Sequence, residues 1–442
     1  MTRPARVGLA LALILIGVAA APASACDACV TAGAGRATLA VPPGTPLAGY
    51  GGFARRLLVP DLFDRYPHAF WLKPSAGQRD PLAARALVLE RDGTRVTWVT
   101  LDLIAVDQAF TRAVAARLGS DAGTLILSAS HTHSGPGAFV DARVMGALAV
   151  DRLDPVVREA ILAAVVAAVR AAEASRGPAH VGVATVDGPP VIASRLGKPL
   201  DHEIVVLTLR RPDGAPVAVV WNFAIHNTML SAGNLELSAD ASGAVSQRLE
   251  AELRVPALFV NGAVADVSPA RHGPASLPDV GAELATAVLE GWRAAEPLAR
   301  PTLRTRTAPL ALPSPRLSLH NCLGGWVPRS LGVPLGDVFP RESALTAIAL
   351  GEVVWVAVPG ELQTALGRRV KLAGRELFGH AFVAGVSNDY LGYLVTAADY
   401  EQPAYITCAS VYGPDAGERI TERAIDLLYD LRGRPRPGGR AP

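Results

Sequence analysis

The sequence predicts an α/β fold in which mixed β-sheets are flanked by α-helices and the active site lies at the carboxyl ends of the strands. Short runs of Val, Ile, Leu and Ala alternate with segments of helical length. The runs are apolar throughout, which is typical of sheets that are covered on both faces. Histidine-containing and carboxylate-containing loops follow several of these runs, where α/β proteins usually bind ligands.

The strands and helices can be assigned from the hydrophobic pattern and from the residues that begin or end each element. Six strands are predicted at 95–104, 124–129, 217–225, 257–260, 353–358 and 381–386. Five helices are predicted at 155–174, 239–253, 280–294, 362–377 and 416–431. The first of these helices has Asp154 as its N-cap and Pro155 at its first position. Residues 313–341 are rich in proline without a clear period, which indicates a long surface loop.

The sequence predicts a signal peptide at one end of the chain and a disordered tail at the other. Residues 1–25 have Arg3 and Arg6, an apolar run and a closing Ala-Ser-Ala, the pattern of a secretory signal peptide. We therefore expect an exported protein, periplasmic or secreted, with one catalytic domain at 26–432 and a disordered tail at 433–442. A lipid anchor on Cys26 is the weaker alternative, because Ala23 stands where a lipobox usually carries a branched residue.

Composition excludes some classes of partner. The net charge is +2 and the basic residues are spread out, so nucleic acid is not an expected partner. No later apolar run predicts a transmembrane segment, although peripheral contact with a membrane is still compatible with the sequence. The sequence indicates no protein partner. The four cysteines, Cys26, Cys29, Cys322 and Cys408, permit disulfides in an exported chain, with their pairing left open.

Residue types that bind metals or take part in catalysis follow five of the predicted strands. These segments are SHTH (130–133), HNT (226–228), NGAVADVSP (261–269), PGE (359–361) and SNDYLGY (387–393). Because the carboxyl ends of strands in α/β folds meet at one edge, five such segments predict a single site assembled from distant parts of the chain.

Two imidazoles and one carboxylate, from His131, His226 and Glu361, form the ligand set of many hydrolytic zinc centres. Zinc lowers the pKa of a bound water to roughly 7. His133 would point to the same side as His131 if the strand continues, so it is either a second ligand or a group that contacts the substrate.

Some of these residues could have a structural role instead of a metal-binding or catalytic one. Glu361 could cap the helix that follows it, and Asp266 and Ser268 could cap a turn. Tyr390 and Tyr393 could be packing aromatics.

From about residue 36 to residue 431, the chain resembles the catalytic domain of neutral/alkaline, non-lysosomal ceramidases. The most specific match is SHTHSGPG (130–137), and FAIHNTM (223–229) resembles the second histidine motif. NGAVADVSP (261–269) is similar to the family's N-x-G-D-V-S-P-N motif. PLAGYGG (46–52), VPGELQTALGRR (358–369) and SNDYLGY (387–393) follow the family order.

The resemblance implies roles for nine residues. It implies one Zn²⁺ per chain, held by His131, His226, Glu361 and Tyr393. It implies catalytic or substrate-binding roles for His133, Arg195, Ser268, Tyr405 and Asp266. Among these, His133 would donate a proton to the leaving group, and Tyr405 would stabilise the oxyanion. Ser268 is either a nucleophile or an orienting group, and the availability of an activated water favours orientation.

The implied reaction is hydrolysis of the amide of ceramide, or of a similar N-acyl lipid, to sphingosine and fatty acid. The chain departs from the family in three ways: Ala265 and Ala270 replace Gly and Asn of the motif, the 361–393 segment is shorter, and no C-terminal immunoglobulin-like domain follows, as in a short bacterial-type member. A zinc amidase or esterase for a smaller substrate is the first alternative. A non-catalytic exported binding protein is the second, and the intact ligands argue against it.

Overall fold

The computed structural model describes residues 26–141 and 145–438. The predicted signal peptide, residues 1–25, lies outside the described residues, as do residues 142–144 and 439–442. In the described part of the predicted tail, Arg436 pairs with Glu422 and Asp426 of the last helix.

The strands fall at the following bounds along the chain. They are β1 (Val30–Thr38), β2 (Gly77–Gln78), β3 (Ala83–Arg91), β4 (Thr94–Leu101), β5 (Thr124–Ala129), β6 (Gly177–Asp187), β7 (Ile192–Ser194), β8 (Glu203–Arg210), β9 (Pro216–Phe223), β10 (Glu236–Leu237), β11 (Ala257–Asn261), β12 (Val267–Pro269), β13 (Glu296–Pro297), β14 (Leu303–Ala311), β15 (Arg316–Ser318), β16 (Gly332–Pro334), β17 (Glu342–Leu350), β18 (Val353–Ala357), β19 (Glu361–Leu362), β20 (His380–Ala384) and β21 (Tyr393–Leu394).

The α-helices alternate with these strands. They are α1 (Gln108–Leu118), α2 (Pro155–Ala174), α3 (Asp240–Leu253), α4 (Leu277–Ala294), α5 (Leu319–Leu323), α6 (Thr364–Phe378), α7 (Ala397–Tyr400), α8 (Tyr405–Cys408) and α9 (Ala416–Arg432). Asp154 caps α2 by accepting hydrogen bonds from Val156 and Val157, as predicted.

Two mixed sheets form the centre of the fold. The larger has the order β11-β9-β8-β6-β1-β3-β4-β5, with β13 paired to β6, and the smaller has the order β14-β17-β18-β20. The pairs β4–β5, β9–β11 and β18–β20 are parallel, and the other neighbours in these two sheets are antiparallel. The predicted mixed α/β class is therefore confirmed.

The two sheets share one apolar core. Trp98 of the larger sheet stacks on Trp355 of the smaller sheet, with ring centroids 5.0 Å apart. Phe382 stacks in turn on Trp355 at 5.5 Å. Stacked aromatic side chains bury a large apolar area at the sheet interface and fix how one sheet lies on the other.

Helices cover the outer faces of both sheets. Helices α3 and α4 pack on the β8, β9 and β11 side, while α6 and α9 pack on the smaller sheet. Helix α2 lies so close to β1 that a Cβ on Gly33 would fall 2.1 Å from the carbonyl oxygen of Ala172. A Cβ on Gly35 would fall 2.3 Å from that of Ala168, so this helix–strand contact requires glycine.

The predicted surface loop at 313–341 is more structured than expected. It contains the paired strands β15 and β16 and the short helix α5. Strands of three residues are too short to show a period of two, which explains why the sequence pattern missed them. Across the described residues, no helix combines the length and the apolar character that a membrane crossing requires.

Two disulfides settle the cysteine pairing that the sequence left open. Cys26 pairs with Cys29, and Cys322 pairs with Cys408 across a separation of 86 residues. The second disulfide joins α5 to α8. The His180 ring lies 3.8–3.9 Å from the sulfurs of the Cys26–Cys29 disulfide.

Candidate metal centre and active site

The site lies where the carboxyl ends of the parallel strand pairs meet. Backbone hydrogen bonds join the loops that leave these strands: His133 N–H donates to Asn227, Gly385 N–H to Asn261, and Glu361 N–H to Gly392. The side chains of Asn227 and Asn261 both donate to the carbonyl oxygen of Ser130, at 2.6 and 3.1 Å. The five loops predicted from sequence thus form one hydrogen-bonded assembly.

His131 is held in an unusual backbone conformation, with φ of +65°. A non-glycine residue in the left-handed region costs on the order of 1 kcal/mol and is found at functional sites more often than elsewhere. The imidazole is buried, and its Nδ1–H donates to the carbonyl oxygen of Ile104 at 2.6 Å. Because that carbonyl can only accept, Nδ1 carries the proton and Nε2 is free to bind a metal.

His133 and His226 lie beside His131 and are also buried. The ring centroid of His226 is 4.6 Å from that of His131 and 5.2 Å from that of His133. Burial lowers the pKa of both His133 and His226 well below the usual value, and the nearby Arg195 adds to the effect. Both rings are therefore neutral at physiological pH, the form in which imidazole binds metals.

Glu361 supplies a carboxylate to the same cluster. Its Oε1 lies 3.2 Å from Nε2 of His131 and accepts a hydrogen bond from the Tyr390 hydroxyl at 2.5 Å. Its Oε2 lies 3.8 Å from Nδ1 of His226. Burial raises the pKa of Glu361, but His131 and the Tyr390 hydroxyl outweigh burial and hold it below its usual value. Glu361 is therefore an anion facing two imidazoles.

Several ligand atoms of this cluster have no hydrogen-bond partner among the described residues. They are Nε2 of His131, both ring nitrogens of His133, Nε2 of His226 and Oε2 of Glu361. Leaving buried polar atoms unpaired costs free energy, so such a group points to something that binds there. Ring nitrogens of the three histidines lie within 4.8 Å of one another. The donor set therefore fits a metal ion.

Tyr393, Arg195 and Tyr405 extend the cluster toward solvent. Arg195 donates to the Tyr393 hydroxyl and to the carbonyl oxygen of Ala265, both at 3.3 Å. Burial, with a further contribution from Glu361, raises the pKa of Tyr393 well above its usual value. The Tyr405 ring lies 5.8 Å from the Tyr393 ring. Tyr405 is 70% exposed as a residue and contributes to the wall of the neighbouring cavity.

Ser268 and Asp266 lie to one side of this cluster. Ser268 is half-buried on β12, opposite Ala193 of β7. The carboxylate of Asp266 accepts hydrogen bonds from the backbone N–H and the hydroxyl of Thr364, at 2.8 and 2.7 Å. The structure thus places Asp266 at the start of α6, as a cap, and not among the candidate ligand atoms.

Replacing Asp266 by alanine is expected to lower the free energy of unfolding by about 1–2 kcal/mol, because the first turn of α6 loses its cap. Chemical denaturation would measure this loss, with Asp266→Asn as the control that keeps an acceptor oxygen. A variant that is as stable as wild type but inactive would instead support the predicted catalytic role of Asp266.

Three residues at the site were not predicted from sequence. Tyr390 was interpreted as a packing aromatic, yet it donates to Glu361. Arg55 is buried and donates to the carbonyl oxygens of His133 and Ala48, at 2.5 and 3.0 Å. Tyr50 lies with its ring 4.9 Å from that of His133. Two of the three carried a signal, because Tyr50 belongs to the PLAGYGG segment and Tyr390 to the SNDYLGY segment.

A cavity of about 820 Å³ opens beside the cluster. His131, His133, Glu361, Tyr393 and Tyr405 contribute to its wall. Much of the remaining wall is apolar, including Ile104, Val106, Phe139, Val140, Val150 and Phe339. This volume lies in the upper part of the range for ligand sites, and the apolar wall suits a large ligand with a long hydrocarbon part.

Comparison with known proteins gives a consistent result. A family model described as "Neutral/alkaline non-lysosomal ceramidase, N-terminal" matches residues 69–287, which include His131, His133, His226, Arg195 and Ser268. The chain is 36% identical over 95 residues to neutral ceramidase B of Dictyostelium discoideum, covering 20% of this chain and 12% of that protein. It is 26% identical over 200 residues to the neutral ceramidase of Pseudomonas aeruginosa, covering 40% of this chain and 29% of that one. These sequence matches span less than a third of either relative.

The likeness in three dimensions extends further. The crystal structure of the Pseudomonas aeruginosa neutral ceramidase aligns with a TM-score of 0.77 at 21% identity, covering 94% of this chain and 77% of that one. A ceramidase complexed with C2 aligns with a TM-score of 0.78 at 19% identity and the same coverage. At these identities the structures establish a shared fold. With the family-model match and the site motifs, the comparisons show that this chain belongs to the neutral/alkaline non-lysosomal ceramidase family.

Proposed function

We propose that this protein is a zinc-dependent amidohydrolase that cleaves the N-acyl amide bond of ceramide, or of a similar N-acyl lipid, to give sphingosine and a fatty acid. The observation that carries the proposal is the buried group of unpartnered imidazole nitrogens that opens into an apolar cavity of about 820 Å³. Membership of the ceramidase family supports the reaction class.

His131, His226, Glu361 and Tyr393 would hold the ion. The 3.2 Å between Nε2 of His131 and Oε1 of Glu361 fits two ligands of one zinc, since ligands about 2.0–2.1 Å from a tetrahedral ion lie about 3.4 Å apart. When bound, zinc supplies a Lewis acid and lowers the pKa of water toward neutrality. The Tyr390 hydroxyl orients Glu361 through its hydrogen bond to Oε1.

His133 would move the proton that the departing amine needs. Both of its ring nitrogens lack a partner among the described residues, so one is open to take the proton that the attacking water loses. Its lowered pKa keeps the ring neutral beforehand and makes the protonated ring release that proton readily to the departing amine. The Tyr50 ring packs against it, and Arg55 holds its backbone carbonyl. These contacts fix the orientation of the imidazole at the cavity wall.

Tyr405 would stabilise the carbonyl oxygen as it gains negative charge. Tyr405 contributes to the cavity wall, where its hydroxyl could donate to a substrate oxygen. Arg195 contributes a positive charge through its contact with the Tyr393 hydroxyl. We assign Ser268 an orienting role beside Arg195, since β12 and β7 pair there.

The test is release of fatty acid from ceramides of several acyl lengths, N-acyl amino acids and simple esters, with and without a chelator. We expect hydrolysis of ceramide, loss of activity with the chelator, recovery with Zn²⁺ and about one zinc per chain. Full activity in metal-free protein would refute the zinc centre. Hydrolysis confined to small esters would favour the zinc esterase with a smaller substrate.

We also propose that the protein is exported. The predicted signal peptide at 1–25 supports this, as do the two disulfides, which persist in oxidising compartments. Fractionation of the producing cells would test it, and recovery of the protein from the cytosol alone would contradict it.

A further inference from the structure

One surface segment exposes far more apolar area than its neighbours. Five large apolar side chains lie within residues 53–63, and we name them the outer patch: Phe53 (91% exposed), Leu58 (99%), Val59 (58%), Leu62 (66%) and Phe63 (81%). Single exposed apolar side chains are normal on soluble proteins, but five within eleven residues are typical of a surface that binds a partner.

The polarity of this segment is inverted. Two of its three charged residues, Arg55 and Asp61, are each only 1% exposed, and the third, Arg56, is half-buried. The large apolar residues of the outer patch face solvent. Arg55 donates to the carbonyl oxygen of His133, and Asp61 accepts from the backbone N–H of Tyr66 at 2.7 Å. The Asp61 N–H donates to the carbonyl oxygen of Phe70. Buried polar contacts thus hold the apolar side chains outward.

The segment that carries the outer patch is hydrogen-bonded to the wall of the cavity. Arg56 donates to the carbonyl oxygen of Leu148, which is itself 51% exposed. The next two residues, Ala149 and Val150, contribute to the cavity wall, and Gly49 N–H donates to Ala149. A partner seated on the outer patch would therefore lie close to the cavity that opens beside the cluster.

We propose that the outer patch inserts into the surface of a phospholipid bilayer and holds the cavity entrance at the membrane. The choice of a bilayer rests on the proposed function, in which the substrate is a lipid that resides there. The charges agree with it: Arg56, Arg65 and Lys73 flank the patch, with Asp64 as an exposed acid. Apolar side chains rimmed by cations suit a bilayer with anionic headgroups.

Sedimentation with vesicles of phosphatidylcholine and phosphatidylglycerol, free of ceramide, tests the proposal. The patch variant carries Leu58→Ser and Phe63→Ser. The matched control carries Leu372→Ser, which removes an apolar side chain that is 59% exposed on α6. We expect the patch variant to bind vesicles at least about tenfold more weakly than wild type, and the control to bind like wild type.

A second measurement separates membrane binding from catalysis. The patch variant should hydrolyse a water-soluble, short-acyl ceramide as fast as wild type and a vesicle-embedded ceramide more slowly. Equal vesicle binding by wild type and patch variant would overturn the proposal. So would a wild-type dimer that the patch variant converts to a monomer while neither binds vesicles, since the occupant would then be a second copy. Patch-dependent binding by a protein that hydrolyses no lipid would support the docking surface and refute the proposed function.

Discussion

Replacing His131 by alanine is expected to remove the bound metal and to lower ceramide hydrolysis at least about 1000-fold. The imidazole offers a free Nε2 to the cluster, because its Nδ1–H is committed to Ile104. Loss of one ligand removes the several kcal/mol of transition-state stabilisation that a metal supplies, and about 4 kcal/mol corresponds to three orders of magnitude in rate. Metal analysis and kcat/KM on the same sample would show both losses.

The matched control is His68→Ala. His68 also contacts a carboxylate, with its Nδ1 2.7 Å from Asp154, but it lies outside the histidine cluster. This variant should keep its zinc and its turnover, with at most a small loss of stability. Circular dichroism would confirm that both variants fold. A folded His131→Ala protein with one zinc per chain and wild-type turnover would exclude His131 as a ligand.

Replacing Tyr405 by phenylalanine is expected to leave the metal in place and to lower kcat about 100-fold. Removing one donor to a developing oxyanion typically costs 100- to 1000-fold in kcat. Tyr405 is 70% exposed as a residue, so loss of the hydroxyl should change the folding stability little. The change should appear in kcat more than in KM, since the hydrogen bond strengthens in the transition state.

Tyr412→Phe is the control for this experiment. The Tyr412 hydroxyl donates to the carbonyl oxygen of Pro340 at 2.7 Å, so its removal should lower stability and leave kcat unchanged. If Tyr405→Phe also left kcat unchanged, Tyr405 would have no oxyanion role. If it released zinc, Tyr405 would belong to the ligand set.

Some strands and helices with strong local signals were predicted from the sequence, although the apolar strands β3 and β8 were not. Strand β5 and helix α2 begin and end at the predicted residues, because one is a compact apolar run and the other has a clear N-terminal cap. Strand β1 was missed because Gly33 and Gly35 interrupt its apolar pattern. Those glycines serve the close approach of α2, a tertiary requirement that no local pattern displays.

Only some residues of the candidate site could be predicted from the sequence. The strand-end loops identified His131, His226 and Glu361, because the fold class places such loops at one edge. Arg55 could not be distinguished from its neighbour Arg56, since only tertiary contacts decide which of two adjacent arginines is buried. Asp266 shares a short segment with Ser268, yet its carboxylate turns toward the start of a helix. Spacing alone does not show where a side chain points.

The Cys322–Cys408 disulfide has a consequence for how the enzyme must be made. Helix α8 has only four residues, too few to be stable by itself, and Tyr405 begins it three positions before Cys408. The covalent link to α5, together with the hydrogen bond from Asn321 to Thr407, keeps that turn in place. A chain folded under reducing conditions would therefore assemble the proposed metal centre, whose ligands come from other elements, and yet present Tyr405 on a turn that lacks its covalent link. Metal content would then be a poor measure of enzyme quality, and the thiol content of a preparation would be a better one.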